Sequence, residues 1–483
     1  MTPLLRLLTL PTVLALIALA GSANASAATS RPSGVQHLHF RFGPVHITPG
    51  QNTITFDVTR QKPKVDGFIT SFKPNLVRAD GKAPPVDVIH LHHAVWLSNL
   101  RPTWAAGEEK TAMRLPSGFG WRYRTSDRWI LNHMIHNLTP GNDTVWVTWD
   151  IDFVPASSAA AKRIRAVDTE WIDAMGGKAY PVFDAVRGSG VGGRFTFPDQ
   201  AASPYPDSAI PRNQWVVDHD ATLVAAIGHL HPGGLWTDLT LTRGGRTVHL
   251  FRSRAHYFEP AGAVSWDVAM TATPRTWRVR VKRGDVLAVH GTYDTSRASW
   301  YEAMAIMPVA ATRRPVGGSD PFETKVDAPG LLTHGHLPEN SHHGGGAAPY
   351  ASPAALPDGP RTGEVDVGSF LYGQGDLSLP DTRRLPPVVA PGQPLAFVNR
   401  DASRNIFHTI TGCRLPCTGD TGIAFPLADG TVFDSGELGV GPVGFTAAAN
   451  RITWSTPADL TPGTYAYFCR VHPFMRGAFR VKG

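Results

Sequence analysis

Alternation of apolar and polar residues is the commonest pattern along this chain. It is clear at 51–58, 144–149 and 277–281, where every second residue is apolar. A period of two predicts strands that bury one face. The segment 159–174 differs, because its composition is compatible with a helix. The pattern therefore predicts an all-β fold with one helical exception.

The alternating segments fall into blocks separated by stretches rich in Pro, Gly or Ser. We expect two β-sandwich domains and a third β-sandwich after them, and the stretch before the third to be a linker or a strap across the domains. The predicted boundaries are 35–155 for the first sandwich, 156–212 for a connector, 213–312 for the second sandwich, 313–362 for the linker and 363–483 for the last domain.

Composition narrows the class of protein. The 48 Gly and 41 Pro among 483 residues are too many turn formers for a helical bundle, and the 13 Trp and 22 Phe argue against disorder. The net charge of +7 comes from scattered side chains without a basic run. We therefore expect no nucleic-acid partner.

The first 28 residues are typical of an export signal. Arg6 gives a positive start, 7–20 is apolar, and the small residues at 23–25 form a cleavage site. The apolar run is too short to span a bilayer. We expect a signal peptide at 1–28, no transmembrane anchor after cleavage, and a secreted or periplasmic/extracellular product in an oxidising compartment.

A loop near the C-terminus combines three metal-binding side chains. Cys469, His472 and Met475 follow the strand-like segment 464–468, and His408 lies upstream after another strand-like segment. Two imidazoles and one thiolate with a weak axial thioether are the ligands of a blue-copper site. The sequence therefore predicts copper as a cofactor.

The chain from 363 to 483 resembles a cupredoxin, and its CRVHPFM loop is similar to the ligand loop of amicyanin. The resemblance implies a Greek-key β-sandwich, with His472 at the surface beside Pro473 and Phe474 for contact with a redox partner. It also implies type 1 copper ligands at His408, Cys469, His472 and Met475. Cys413 and Cys417 lie just after His408, and an oxidising compartment favours a disulfide between them, which leaves Cys469 as the free thiolate.

Histidines upstream are grouped rather than scattered. The groups are HLHH at 90–93, His133 with His136, and HLH at 229–231, and Met304 follows them. On a regular strand His90 and His92 share one face and His93 points to the other, unless the strand is bulged. Clustered imidazoles in an apolar context need a metal or partners to justify their burial.

This order of motifs resembles the copper type II, ascorbate-dependent monooxygenases of the peptidylglycine α-hydroxylating type. The resemblance implies one copper site at His92, His93 and His136. It implies a second, oxygen-binding copper site at His229, His231 and Met304. His90 and His133 are additional candidates for the first site. The segments 292–304 and 334–340 also resemble the stress up-regulated nodulin family.

Three classes of function remain open. The chain is a redox enzyme in which the cupredoxin domain feeds a copper monooxygenase-like core, an electron carrier with structural upstream domains, or a copper-binding protein without turnover. A redox partner or a small-molecule reductant is expected for the first two. The linker histidines either bind copper or are solvated: His334, His336, His342 and His343.

Overall fold

The structure is a computed structural model, and strands make up most of it. It describes residues 34–176, 181–198, 214–258, 267–296, 298–340, 352–378, 385–416, 431–440, 451–472 and 474–483. The predicted signal peptide lies outside these ranges. Within them no helix is long and apolar enough to cross a membrane. The all-β prediction is confirmed, and the described helical segments are short 3₁₀ turns at Ala159–Arg163, Pro338–Asn340, Pro353–Ala355 and Ala402–Arg404.

The first nine strands build the first sandwich. They are β1 (Gln36–Ile47), β2 (Asn52–Thr59), β3 (Gly67–Val77), β4 (Ile89–Ser98), β5 (Arg101–Ala106), β6 (Met113–Arg114), β7 (Phe119–Tyr123), β8 (Trp129–Asn137) and β9 (Asp143–Pro155). Four of them form a sheet in the order β2-β8-β4-β5. Its apolar side chains, including Trp96 and Trp129, share one core with Trp149 of β9.

The next strands complete the upstream region. They are β10 (Arg165–Asp173), β11 (Phe183–Ala185), β12 (Arg194–Phe197), β13 (Gln214–Val216), β14 (Ala221–Ala226), β15 (His229–Leu230), β16 (Gly234–Arg243), β17 (Arg246–Tyr257), β18 (Val268–Ala272), β19 (Val279–Val281), β20 (Val286–Asp294), β21 (Trp300–Ala303), β22 (Ala305–Thr312) and β23 (Leu331–Leu332). A seven-stranded sheet contains β12-β20-β16-β17-β18-β23, with β13 beside β20. It shares a second core with β14, β19 and β22.

One sheet joins the two sandwiches. Its order is β1-β9-β3-β7-β10-β22-β14-β19, with β6 and β15 attached at its side. The predicted connector 156–212 supplies β10, which pairs in parallel with β7 and antiparallel with β22. The helical expectation for 159–174 is therefore wrong beyond Arg163. The buried residues of β10 include Val167, Thr169 and Ile172, so strand alternation and β-branched side chains outweigh the helix-compatible composition.

The C-terminal domain is a separate pair of sheets around its own core. Its strands are β24 (Glu364–Gly368), β25 (Leu371–Tyr372), β26 (Val388–Val389), β27 (Ala396–Asn399), β28 (His408–Arg414), β29 (Thr431–Leu438), β30 (Thr453–Ser455), β31 (Gly463–Phe468) and β32 (Arg476–Val481). They form the sheets β25-β24-β27-β30 and β26-β32-β31-β28-β29. The side chains of Phe397, Tyr467 and Phe479 fill the space between them.

The first part of the predicted linker, 313–340, packs against the upstream domains as a strap. β23 pairs with β18, and Asn340 Oδ1 accepts a hydrogen bond of 2.9 Å from the backbone N–H of Val86. Glu339 forms an ion pair of 3.1 Å with Lys110. Of the linker histidines, His336 Nδ1 bonds Asp267 Oδ2 at 2.5 Å and His334 Nδ1 bonds the carbonyl of Gly335. His342 and His343 lie outside the described residues.

Candidate metal centres

The four residues of the C-terminal donor set, His408, Cys469, His472 and Met475, come together at one end of the last domain. His408 opens β28, Cys469 directly follows β31, and Met475 directly precedes β32. The Nδ1 atoms of His408 and His472 are 3.2 Å apart, and Cys469 Sγ is 3.7 Å from His472 Nδ1. Among the described residues, the ligand atoms of His408, Cys469 and His472 are the one group of His, Cys or carboxylate atoms that all lie within 4.8 Å of one another.

Hydrogen bonds orient the donor atoms of this set. His408 Nε2 donates to Asp401 Oδ2 at 3.1 Å, which makes Nδ1 the ligand atom. The backbone N–H groups of Thr409 and His472 each donate to Cys469 Sγ at 3.3 Å. Met475 is fully buried next to them, and its N–H donates to the carbonyl of His472. Two imidazoles, a thiolate and a thioether held in this way fit a copper ion.

Local charges favour the metal-binding form at Cys469 and His472, whereas His408 would have to lose a proton when it binds a metal. Burial raises the pKa of Cys469, but the neighbouring His408 and the two backbone N–H donors outweigh it, and the net pKa is lowered. Burial lowers the pKa of His408, but Asp401 and the Cys469 sulfur outweigh it and the pKa is raised. Burial holds the pKa of His472 well below its usual range, so this imidazole is neutral, as a ligand must be.

His472 does not lie at the surface, contrary to the expectation from cupredoxins. Its exposed fraction is 0%, while that of Phe474 is 36%. Its ring centroid lies 6.5 Å from that of His136, on β8 of the first sandwich. The physical reason is that the last domain packs on the upstream domains with this ligand at the contact. Pro473 lies outside the described residues.

A bulge in β4 decides where the HLHH histidines point. The register with β8 shifts between Leu91 and His93, so His92 is the extra residue. The ring of His92 lies 6.0 Å from that of His90 and 5.9 Å from that of His93. His93 Nε2 donates to Asn132 Oδ1 at 3.2 Å. The structure therefore does not bring His92, His93 and His136 together as one set, because His93 bonds Asn132 instead.

The remaining histidines form a cluster with one histidine of the second sandwich. The ring of His136 lies 5.0 Å from that of His90, and the ring of His231 lies 4.8 Å from that of His92. We call His90, His92, His136 and His231 the upstream imidazole cluster. All four are buried. His133, the other additional candidate, instead bonds Asp57 Oδ2 at 3.1 Å.

The predicted set His229, His231 and Met304 is also divided. His229 and Met304 line an apolar cavity of about 430 Å³, together with His93, Glu109 and Asn132. The rings of His229 and His231 are 5.3 Å apart. His231 thus lies between His92 of the imidazole cluster and His229, and both His229 and Met304 line the cavity.

Several orienting groups are not evident from the sequence. Glu109 Oε1 accepts from His229 Nδ1 at 2.9 Å, and the carbonyl of Glu302 accepts from His231 Nδ1 at 2.6 Å. Burial raises the pKa of Glu109, but His229 outweighs it, so the carboxyl group has a lowered pKa. The one available signal is the acidic pair before Lys110, which has no periodicity that links it to the histidines.

The predicted disulfide stays a prediction. Cys413 lies on β28 and is buried, but Cys417 lies outside the described residues. Cys469 is a free thiol, as the prediction requires.

Comparisons with known proteins do not assign the chain to a family. No family model matches it, and no curated protein matches it. Among solved structures it is similar to PNGase F, a glycosylasparaginase from Flavobacterium meningosepticum, with 8% identity and a TM-score of 0.30 over 59% of this chain and 98% of that chain. It is also similar to the major capsid protein P2 of bacteriophage PM2, with 6% identity and a TM-score of 0.26 over 57% of this chain and 97% of that chain. Likenesses at these TM-scores carry no argument.

Proposed function

We propose that the protein is a secreted copper-binding redox protein. Its C-terminal domain exchanges single electrons through a type 1 copper, and the upstream domains receive them at a copper monooxygenase-like core. The observation that carries this proposal is the position of His472, a member of the donor set that is fully buried against His136. An electron-transfer ligand buried there serves a partner within the same chain.

The contact between the domains is polar and specific, which supports a fixed docking. Arg470 Nη2 donates to the carbonyl of Ser299 at 3.0 Å and pairs with Asp434 at 3.1 Å. The N–H of Ser299 donates to Asp434 Oδ2 at 2.9 Å, and the Arg470 guanidinium lies 4.7 Å from the ring centre of Trp300. These bonds fix the chain at Arg470, two residues before His472, against the upstream domains.

The donor set matches the needs of electron transfer. A copper ion bound there would supply a one-electron couple, tuned by its axial ligand and by hydrogen bonds to the Cys469 sulfur. Asp401 fixes the ring of His408, and the backbone N–H groups fix the sulfur. A rigid, buried set of this kind changes little between oxidation states.

The apolar cavity supports the monooxygenase-like class over storage. His229 and Met304 line a space of about 430 Å³ whose wall is mostly apolar, and the ring of His229 lies 5.3 Å from that of His231. Such a space admits a small apolar molecule or dioxygen. Glu109 holds the ring of His229 toward this wall.

Internal electron transfer can be tested on the full mature chain. We reduce copper-loaded protein anaerobically with limiting ascorbate, add oxygen in a stopped-flow instrument, and follow the return of the blue absorption. We expect His136→Gln to slow this return at least about tenfold, the loss that corresponds to about 1.4 kcal/mol in the barrier. His133→Gln is the matched control on the same strand and should leave the rate unchanged. Equal rates in the unmodified protein and both variants would contradict internal electron transfer. The chain would then be an electron carrier with structural upstream domains.

A further inference from the structure

The upstream imidazole cluster is assembled from both sandwiches. His90 and His92 lie on β4, His136 lies on β8, and His231 directly follows β15. The rings form two close pairs, His90 with His136 at 5.0 Å and His92 with His231 at 4.8 Å. His90 and His92, at 6.0 Å, connect the pairs.

These pair spacings are those of imidazoles that share an ion. A ligand nitrogen lies about 2 Å from its metal, so two rings on one tetrahedral ion have centres about 5 Å apart. The C-terminal donor set gives a comparison within the same chain, because the ring centres of His408 and His472 are 4.9 Å apart. Both upstream pairs match this value. The 5.3 Å between His229 and His231 is close to it too, but His229 lines the cavity and His231 does not.

One ion is too few for all four rings. No three His, Cys or carboxylate ligand atoms of this cluster lie within 4.8 Å of one another in the described part of the chain, where only the C-terminal set meets that condition. Two adjacent ions, one for each pair, fit the spacing. The 6.0 Å between His90 and His92 then places the two ions next to each other.

The chemistry of the cluster agrees with this arrangement. Burial lowers the pKa of His136 to about 3 and holds those of His90, His92 and His231 well below their usual range, so all four are neutral. The bond from His231 Nδ1 to the carbonyl of Glu302 makes Nε2 its ligand atom. His136 Nε2 is buried and has no hydrogen-bond partner among the described residues.

We propose that His90 with His136 and His92 with His231 form the two halves of one binuclear copper centre, in place of two separate three-ligand sites. This inference rests on the proposed copper function of the upstream domains. His136 then belongs to the centre and also faces His472 of the donor set, so the centre adjoins the type 1 site directly. His93, His229 and Met304 face the cavity and are not ligands of this pair.

Two histidines of the same strand test the proposal. His90 belongs to the binuclear centre and is only an additional candidate for the first separate site, whereas His93 belongs to that site's implied ligand set but not to the centre. We load the full mature chain carrying Cys469→Ser and His408→Gln, which removes the C-terminal copper, and measure copper per chain and the spin count by electron paramagnetic resonance. We expect about two copper ions per chain, and the signal of each should be broadened by the other through the magnetic dipole interaction between neighbouring copper(II) ions.

The expected pattern of variants is specific. In this background His90→Ala should reduce the copper content by about half and restore the uncoupled signal of the remaining ion, while His93→Ala should change neither. Loss of copper with His93→Ala but not with His90→Ala contradicts the binuclear centre, and so do two copper signals that do not influence each other. Either result is still compatible with the proposed electron transfer. Absence of upstream copper overturns both. Thermal unfolding of the metal-free variants checks the fold, and His90→Gln replaces His90→Ala if the latter does not fold.

Discussion

The two candidate metal-binding regions of this molecule are built in different ways. The C-terminal donor set takes three of its four residues from one short loop between β31 and β32, and the ligand atoms of His408, Cys469 and His472 lie within 4.8 Å of one another. The upstream imidazole cluster takes its residues from β4, β8 and the end of β15, which belong to two sandwiches. Local chain geometry therefore fixes the first region, and packing between domains fixes the second.

The difference extends to the groups that support each region. Asp401 and two backbone N–H groups from the same domain orient the C-terminal donors. The upstream strand β4 is held from further away, since Glu108 Oε2 accepts from the N–H of Leu91 and pairs with Lys110, which also pairs with Glu339 of the strap. Mutations that loosen the strap should therefore disturb the upstream region more than the C-terminal donor set.

The largest expected effect is complete loss of colour on Cys469→Ser. The thiolate bonded to copper(II) is the source of the intense visible band, and a hydroxyl group does not replace it. Absorption of the copper-loaded protein measures the result, and Tyr467→Phe, a buried change in the same core, should keep the band. A colourless wild type loaded with copper would contradict the type 1 assignment.

Lys110→Met should be the most destabilising of the upstream changes. It leaves the carboxylates of Glu108 and Glu339 without their cation in a buried setting, and loss of one partner of a buried ion pair costs about 3–5 kcal/mol. Denaturant unfolding measures the change, with the exposed Lys64→Met as control. If the two regions are independent, any protein that folds should keep the blue band and lose upstream copper. Loss of the band with intact upstream copper would contradict the comparison.

Asp184→Asn, a change on β11, should alter the pH dependence of the free energy of unfolding. Burial raises the pKa of Asp184 from 3.8 to about 6, so the folded state binds the proton more tightly than the unfolded state. Its contribution is therefore fully present below about pH 4 and is lost as the pH rises to about 7, a change of up to about 3 kcal/mol. The variant should lack this loss, so its stability relative to wild type should rise over that range. A difference that does not vary with pH would show that Asp184 is not buried as described.

The smallest effect is expected from the predicted disulfide. Replacing both Cys413 and Cys417 with Ala should lower the free energy of unfolding by about 2 kcal/mol, because the closed loop is short. Peptide mapping of unreduced protein checks the bond itself. Two free thiols in that map would contradict it.

The sequence was sufficient for the all-β class, and it singled out His408, Cys469 and His472, whose ligand atoms the structure brings together. Cys469, His472 and Met475 lie so close along the chain that a single turn must bring them together. The grouping of the upstream histidines was not predictable in the same way. It depends on the bulge that displaces His92, which has no signature in the alternation, and on the packing of His231 from another domain.

The burial of His472 could not be predicted from the sequence either, because it depends on the domain surface that covers the loop. The same applies to Glu109 and Asp401, whose roles come from contacts with distant or non-periodic positions. Most of the helix-compatible segment at 159–174 forms β10, because this strand pairs with β7 and β22 in the sheet that joins the two sandwiches.

The complete burial of His408, Cys469 and His472 has a consequence for maturation of the protein. An ion has no solvent path to these ligands once the last domain has settled on the others. Metallation must therefore precede docking, or wait for the domain to lift away. For the proposed copper protein, metal added to the finished apoprotein should therefore enter no faster than the interface opens.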